Sequence, residues 1–295
     1  MYASGVDVVS LLPSEPMTAR IGSSDIFRSL QGLVSDAIGT NLGGSEVDVC
    51  EYLRTWEAHD LRRDTHLMLK IETLLPEILH EFGLQIDCLG SVQFPVNLRI
   101  LQSEGDFETD KPYGTENVHC DSWSGAPLDS YNLFIYLFVS PGCPYLALYE
   151  FSGDLHPWEN RYGSYAEVSI GEGDLRPLPF ETEVGNGALW PTLTPHRTVI
   201  PLSSELTRLP AWRVSLDVRF RSTSPYEPDP NVDFCEFSQS QMTSGGVYWD
   251  SSTVGCVSIS EKIKRELEVA EKHGSWAADI RREYVNVWYP EVEGS

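Results

Sequence analysis

The chain has 295 residues, of which 41% are hydrophobic, enough for one large domain with a sizeable core. Its formal net charge of −23 disfavours nucleic acid and anionic membranes as partners, because both are bound through clustered Lys and Arg. Six scattered cysteines without CxxC spacing indicate reduced thiols, and the sequence shows neither a signal peptide nor an apolar run of membrane-spanning length. These features predict a cytoplasmic protein.

The N-terminal part of the chain, residues 1–83, is predicted to be an arm and a helical flank packed on a core. A short apolar strand is predicted at 6–12. Three helices follow, each preceded by a capping side chain: 25–38 after Ser24, a second from Ser45 to Trp56, and a third from Asp64 to Gly83 with a kink or boundary at Pro76.

From residue 84 the hydrophobic period changes to that of β-strands, and residues 84–221 are predicted to form the catalytic core. Short strands are predicted at 84–101, 119–121, 131–139, 145–151, 165–170, 188–190, 196–200 and 212–221, with a polar loop at 102–118. Many short strands with regular turns are typical of a sandwich or barrel. Residues 222–295 are predicted to be a loop-rich segment over 222–258 and a C-terminal helix from Ser260 to Arg282, within one integrated domain.

The most informative motif is His119-x-Asp121, followed 75 residues later by His196. On a strand His119 and Asp121 point to one face, and the adjacent loops place them at a strand end. Two imidazoles and one carboxylate form the facial ligand set that holds non-haem Fe(II) and leaves coordination sites open. The alternative is that these are ordinary core or surface side chains, as is expected of the other five histidines.

A second motif lies on the strand predicted at 212–221, which alternates strictly between apolar and polar residues. Its polar face begins with Arg213 and Ser215, and a guanidinium of this kind binds a carboxylate in two-pronged fashion. Arg213 follows His196 by 17 residues. The alternative is a solvent-facing stripe of ion pairs.

In this order, His119-x-Asp121, His196 and Arg213-x-Ser215 resemble the iron(II)/2-oxoglutarate-dependent dioxygenases over about residues 85–221. The resemblance implies a mainly β fold with flanking helices, a double-stranded β-helix (jelly roll, cupin-like). It also implies that His119, Asp121 and His196 hold Fe(II), that Arg213 and Ser215 hold the far carboxylate of 2-oxoglutarate, and that O2 is the oxidant.

Two features prevent assignment to a subfamily. The spacing Arg213-x5-Arg219 resembles the nucleic-acid alkylation-repair branch, but that branch has Asn-x-Tyr where this chain has Asn97-Leu98-Arg99, and the acidity is wrong for nucleic acid. Halogenating relatives have a small residue in place of Asp121. The expected outcome is therefore hydroxylation, desaturation or ring formation.

Other side chains are predicted to complete the site. Arg219 is a second candidate for the carboxylate clamp, and Asn132 shares its strand face with Tyr136 and is expected in the cosubstrate site. The side chains expected against the substrate are Trp123, Trp190 and Tyr136.

The predicted function is oxidation of a small polar metabolite, such as a sugar, cyclitol or amino-acid derivative of secondary metabolism. The alternatives are a jelly-roll isomerase, epimerase or hydrolase that uses its metal as a Lewis acid, and a non-catalytic binding module. The substrate is expected to enter between 102–118 and 222–258. The acids of these segments favour a cation or polyol over phosphate: Glu104, Asp106, Glu108, Asp110, Asp229, Asp233 and Glu236.

Overall fold

The structure, a computed structural model, describes residues 15–41, 65–84, 89–94, 96–103, 115–121, 130–152, 170, 172–201, 211–222 and 247–250. The helices in these ranges are α1 (Asp25–Asn41), α2 (Thr65–Thr73) and α3 (Leu75–Glu81). The strands are β1 (Met17–Arg20), β2 (Leu89–Phe94), β3 (Asn97–Gln102), β4 (Ser130–Val139), β5 (Tyr145–Phe151), β6 (Leu175–Pro177), β7 (Asn186–Pro191), β8 (His196–Val199), β9 (Trp212–Ser222) and β10 (Val247–Asp250). None of the described helices is long and apolar enough to cross a bilayer.

The described strands form two antiparallel sheets. The larger has seven strands in the order β1-β7-β4-β9-β2-β10, with β3 also paired to β9, and the smaller has the order β6-β5-β8. β9 is the central strand of the larger sheet and pairs with β4, β2 and β3. The predicted fold class is confirmed: the protein is mainly β with flanking helices, of the jelly-roll, cupin-like class.

The two faces of the larger sheet are covered differently. Its outer face packs against the helices in one apolar cluster, to which β9 contributes Val214, Leu216, Val218 and Phe220. Each fully buried aliphatic or aromatic side chain contributes about 1.5–3 kcal/mol, so this face holds the helical flank on the sheet.

The inner face of the larger sheet meets the smaller sheet through a second cluster. Its members come from β4, β5 and β7: Phe134, Tyr136, Leu146, Leu148, Ala188 and Trp190. A hydrogen bond from the Leu146 amide to the Tyr136 hydroxyl, 2.9 Å long, also joins the two sheets. The polar face of β9 is inner, and Arg213 and Ser215 on it are buried. These two side chains are therefore not part of a solvent-facing stripe.

Several sequence predictions are confirmed at the level of single elements. The Ser24 hydroxyl accepts a hydrogen bond from the Phe27 amide at 3.2 Å and caps α1. Helix α2 ends one residue before Leu74, and α3 begins at Leu75 with Pro76 in its first turn, where a missing N–H costs nothing.

Other predictions require correction or lie outside the described residues. Residues 119–121 do not form a strand, because His119 makes only an isolated bridge to His196. β10 lies inside the segment predicted to be a loop, and the sequence did not predict β1 or β6. The strand at 6–12, the helix at 45–56 and the C-terminal helix lie outside the described residues.

Candidate metal centre

His119, Asp121 and His196 lie together between the two sheets. One ligand atom of each lies within 4.8 Å of the others, and all three residues are buried. The backbones of the two histidines exchange hydrogen bonds of 2.9 Å in both directions, which brings the imidazole centroids to 4.3 Å. The fold thus brings residues 77 positions apart into one potential metal site.

Backbone carbonyl groups fix the tautomer of both imidazoles. Nδ1 of His119 lies 2.8 Å from the Asn117 carbonyl oxygen, and Nδ1 of His196 lies 2.9 Å from that of Thr194. Because a carbonyl oxygen only accepts, each Nδ1 must carry the proton. Nε2 of each ring therefore presents its lone pair, which is the arrangement typical of metal-ligating histidines.

The protonation states also suit a metal. Burial, followed by the neighbouring His196, lowers the pKa of His119 to about 3, and burial likewise lowers the pKa of His196. Burial raises the pKa of Asp121 and is the largest single influence on it, but the Arg219 guanidinium, together with the two histidines and Arg99, outweighs burial and holds that pKa well below its usual range. At neutral pH the site consists of two neutral imidazoles and one carboxylate.

Asn132 and Arg219 hold the Asp121 carboxylate in place. The Asn132 amide donates to Oδ2 of Asp121 at 2.7 Å, and Nη2 of Arg219 donates to Oδ1 at 2.7 Å. Arg219 Nε also donates to the side-chain oxygen Oδ1 of Asn132 at 3.1 Å, which fixes the orientation of the Asn132 side-chain amide. Asn132 and Arg219 were predicted to contact the cosubstrate, and in the structure they hydrogen-bond to Asp121 and to each other.

Arg213 is buried without a carboxylate partner among the described residues. Its Nη1 donates to the Pro144 carbonyl oxygen at 3.1 Å, and its guanidinium carbon lies 5.2 Å from the centroid of the Phe134 ring. Nε of Arg213 and the hydroxyl of Ser215 have no hydrogen-bond partner in the described structure. Buried polar groups without partners are rare, so this pair fits an anion supplied from outside the chain.

The acid nearest in sequence to this pair, Asp217, is bound elsewhere. Its carboxylate pairs with Arg99 of β3, which faces Ser215 across the ladder. No local pattern singles out Arg99, since its partner on β9 becomes apparent only from the strand register. The two carbonyl groups that orient the histidines carry no side-chain signal at all.

Two of the aromatic side chains predicted to contact the substrate, Trp190 and Tyr136, belong to the apolar cluster between the sheets. Trp190 faces Asn132 across the β4–β7 ladder, and its ring centroid lies 5.4 Å from that of His196. Its indole N–H is buried without a partner among the described residues. The Tyr136 hydroxyl, predicted to contact substrate, accepts the amide hydrogen bond that joins the sheets. Trp123 and the acids predicted at the entrance lie outside the described residues.

The inner face of the larger sheet therefore has two polar ends. The metal end consists of Asn132, Arg219 and Trp190 around the His–Asp–His group, and the anion end consists of Arg213 and Ser215. In the β4–β9 ladder Asn132 pairs with Arg219, and Tyr136, four residues after Asn132, pairs with Ser215. At about 3.3 Å per residue the two pairs are roughly 13 Å apart along the strand, before the reach of the side chains.

Cys120, between two of the potential ligands, points away from them. Its thiol is fully buried and donates to the Leu193 carbonyl oxygen at 3.0 Å. Burial, with a contribution from Asp121, raises the pKa of this thiol well above its ordinary value. The group of potential ligand atoms that lie within 4.8 Å of one another consists of His119, Asp121 and His196 and does not include this thiol.

No protein-family model matches the sequence, and no curated protein matches it either. Among solved structures, the non-haem α-ketoglutarate-dependent carbocyclase SnoK of nogalamycin biosynthesis has 13% identity and a TM-score of 0.37, over 75% of this chain and 84% of that one. The α-ketoglutarate-dependent epimerase SnoN of the same biosynthesis has 12% identity and a TM-score of 0.36, over 71% and 79%. AviO1 from Streptomyces viridochromogenes Tue57 has 13% identity and a TM-score of 0.36, over 77% and 97%.

Proposed function

We propose that the protein is an Fe(II)/2-oxoglutarate-dependent oxygenase that oxidises a small polar metabolite. The observation that carries the proposal is the combination of two features: a buried His–Asp–His group, and a buried Arg213–Ser215 pair on β9 whose Nε and hydroxyl have no hydrogen-bond partner among the described residues. Each feature by itself is also compatible with a purely structural role. Together they fit a metal and an acidic cosubstrate that bridges from it to a buried cation.

The donor set fits Fe(II). Two neutral imidazole nitrogens and one carboxylate oxygen are the ligands of the facial triad of non-haem iron oxygenases. Asn132 and Arg219 supply the supporting hydrogen bonds that orient the carboxylate. His119, Asp121 and His196 would hold the metal, and the two backbone carbonyl groups would keep the imidazoles in the ligating tautomer.

The distribution of polar groups fits 2-oxoglutarate. This molecule has a keto acid at one end, a carboxylate at the other and two methylene groups between them. Arg213 and Ser215 would bind the far carboxylate, and the Phe134 and Tyr136 rings beside the Arg213 guanidinium would contact the apolar middle. Bound Fe(II) and 2-oxoglutarate would supply the oxidising chemistry through reaction with O2, while the protein excludes water and orients the reactants.

The substrate is proposed to be a small polar molecule that enters beside the metal end, and neither nucleic acid nor a membrane lipid. The acidity of the chain supports this, because a phosphate-rich partner would be repelled. A cytoplasmic location remains part of the proposal.

The proposal is tested by anaerobic titration of the metal-free protein with Fe(II) and then with 2-oxoglutarate, followed by exposure to O2. We expect one Fe(II) per chain, a visible charge-transfer absorbance that needs both Fe(II) and 2-oxoglutarate, and formation of succinate after O2 is admitted. His196→Ala should lose all three, and His80→Ala, which changes an exposed histidine on α3, is the matched control.

The alternatives give different results. Metal binding without any effect of 2-oxoglutarate would favour a Lewis-acid isomerase, epimerase or hydrolase, in which Arg213 and Ser215 bind a substrate carboxylate. Failure to bind metal at all would favour a non-catalytic module.

A further inference from the structure

The indole of Trp190 carries a buried N–H group that has no role in the binding of metal or 2-oxoglutarate described above. Trp190 is 4% exposed, and Nε1 has no hydrogen-bond partner in the described part of the chain. An indole nitrogen only donates, so its missing partner must be an acceptor. A donor left unpaired in a buried site is unfavourable, and buried polar groups in native proteins almost always have a hydrogen-bond partner.

The position of Trp190 indicates which ligand. The residue faces Asn132 across the ladder, and Asn132 donates to the Asp121 carboxylate. Its ring also lies beside the His196 imidazole. Trp190 therefore adjoins both Asn132, which supports the potential ligand Asp121, and the potential ligand His196 itself. It lies at the metal end of the site.

The neighbours of the indole within its own apolar cluster offer no side-chain acceptor. Phe134, with its ring centroid 6.5 Å away, and Ala188 belong to the same apolar cluster. The nearby Arg219 is itself a donor, and its Nε and Nη2 are directed to Asn132 and Asp121. A molecule bound at the metal end would be placed to supply the acceptor.

We propose that the Trp190 indole N–H donates a hydrogen bond to the keto acid end of the bound 2-oxo acid and so sets the preference for 2-oxo acids over simple carboxylates. This inference rests on the proposed function. A 2-oxo acid that chelates a metal through its keto oxygen and one carboxylate oxygen retains a second carboxylate oxygen as an acceptor. Trp190 is thus a specificity-determining residue that acts at one end of the cosubstrate, while Arg213 acts at the other.

The two ends are separated experimentally with two ligands and two variants. Calorimetry under anaerobic conditions on the Fe(II)-loaded protein compares 2-oxoglutarate with pyruvate, a 2-oxo acid that lacks the far carboxylate. Trp190→Phe should weaken both ligands by the same factor, about tenfold, the scale of a hydrogen bond to a charged acceptor. Arg213→Met, the matched variant, should weaken 2-oxoglutarate and leave pyruvate unchanged.

Two further measurements distinguish a hydrogen bond from a packing effect. Trp190→Phe should leave the Fe(II) affinity measured without any 2-oxo acid unchanged, and should leave succinate binding unchanged. In the wild-type protein loaded with Zn(II), one indole N–H resonance should move downfield on addition of pyruvate, which keeps the inference testable if the variant does not fold.

The outcomes separate this inference from the proposed function. Equal binding of 2-oxoglutarate by Trp190→Phe and the wild type would overturn the role of Trp190 and leave the proposed function intact. An equal loss of Fe(II) affinity in the variant would also overturn it, since that result indicates packing. Absence of 2-oxo acid binding to the Fe(II)-loaded wild type would overturn the proposed function and this inference together.

Discussion

Arg213 and Arg219 lie on the same face of one strand, yet their surroundings differ completely. Arg219 donates to Asp121 and Asn132, and its charge is compensated within the protein. Arg213 is more deeply buried, donates to a single backbone carbonyl oxygen and has no carboxylate within ion-pair distance among the described residues. The first belongs to the metal end, and the second is the proposed clamp for a ligand carboxylate.

This difference shows that neither residue type nor strand parity determines the role of an arginine at such a site. The role of each arginine is determined by the group with which its guanidinium pairs. Asp121 fixes Arg219 by an ion pair of 2.7 Å, whereas the acid closest to Arg213 in the strand is held by Arg99. A buried cation without a partner is unfavourable for folding, so its presence points to binding.

The largest effect is expected from Asp121→Ala, which removes a potential metal ligand and at the same time the ion-pair partner that distinguishes Arg219 from Arg213. We expect Fe(II) affinity to fall by more than about a thousandfold, because two imidazoles alone no longer form the facial set. Competition with a chelating dye measures this loss. His80→Ala provides the baseline, and retention of tight metal binding by Asp121→Ala would place the metal elsewhere.

Paired truncations of the two arginines should act on stability in opposite directions. Arg219→Met leaves the Asp121 carboxylate buried without its cation, and should lower the free energy of unfolding of the metal-free protein by about 2–4 kcal/mol. Arg213→Met removes an uncompensated charge and should leave stability unchanged or raise it by about 1 kcal/mol.

Urea denaturation of the metal-free variants checks both signs. Adding Fe(II) should reduce the defect of Arg219→Met, since the metal then compensates Asp121. Destabilisation of similar size in both variants would mean that the two guanidinium groups are equally integrated into the fold.

A milder change tests the anion end alone. Arg213→Lys keeps the charge but loses the planar fork, so binding of 2-oxoglutarate to the Fe(II)-loaded protein should weaken by about 1–3 kcal/mol. Arg219→Lys should have a smaller effect on 2-oxoglutarate and a larger one on Fe(II). An unchanged affinity in Arg213→Lys would transfer the carboxylate clamp to another basic residue.

The smallest expected effect is the pH dependence of the metal-free protein. The folded-state pKa of His119 is about 3, below its ordinary value of 6.5. Between these two pH values the unfolded chain binds a proton on this histidine that the folded chain does not bind. The resulting stability is fully present above about pH 6.5 and is lost as the pH falls toward 3. Between pH 7 and pH 5 we expect a loss of about 1–2 kcal/mol from this group.

Urea midpoints at the two pH values measure this slope, and His119→Asn should have a shallower one. In the protein that remains folded, Fe(II) affinity should fall less over the same range than it would with histidines of ordinary pKa, because burial lowers the pKa of both imidazoles. A steep fall of that affinity near the ordinary histidine pKa of about 6.5 would show that the histidines titrate as they do in water.

The sequence predicted the parts of the molecule that depend on periodicity and order. Strict alternation in β9 identified one apolar and one polar face, and the order of the two histidines and Asp121 brought together a group that the structure places within 4.8 Å. Both patterns depend on the order and spacing of residues along the chain, so they can be recognised without knowledge of the register between strands.

The remaining features arise from contacts between distant segments. Asn132 and Arg219 are 87 residues apart, and only the β4–β9 register makes them a pair that holds Asp121. β10, inside a Pro/Ser/Gly-rich segment, forms because it can add to the edge presented by β2. Neither the choice between the two arginines nor the pairing of β10 is encoded in local sequence.

Cys120 makes the metal-bearing segment observable in its own right. The thiol is inaccessible while the Cys120–Leu193 hydrogen bond persists, so an alkylating reagent can modify it only after this segment detaches. The rate at which Cys120 is modified in the native state therefore reports how often this segment opens locally. The ratio of the alkylation rates of Cys120 with and without Fe(II) would give the free energy by which bound metal stabilises this segment against local opening. The probe lies between two potential ligands and outside the group that they form.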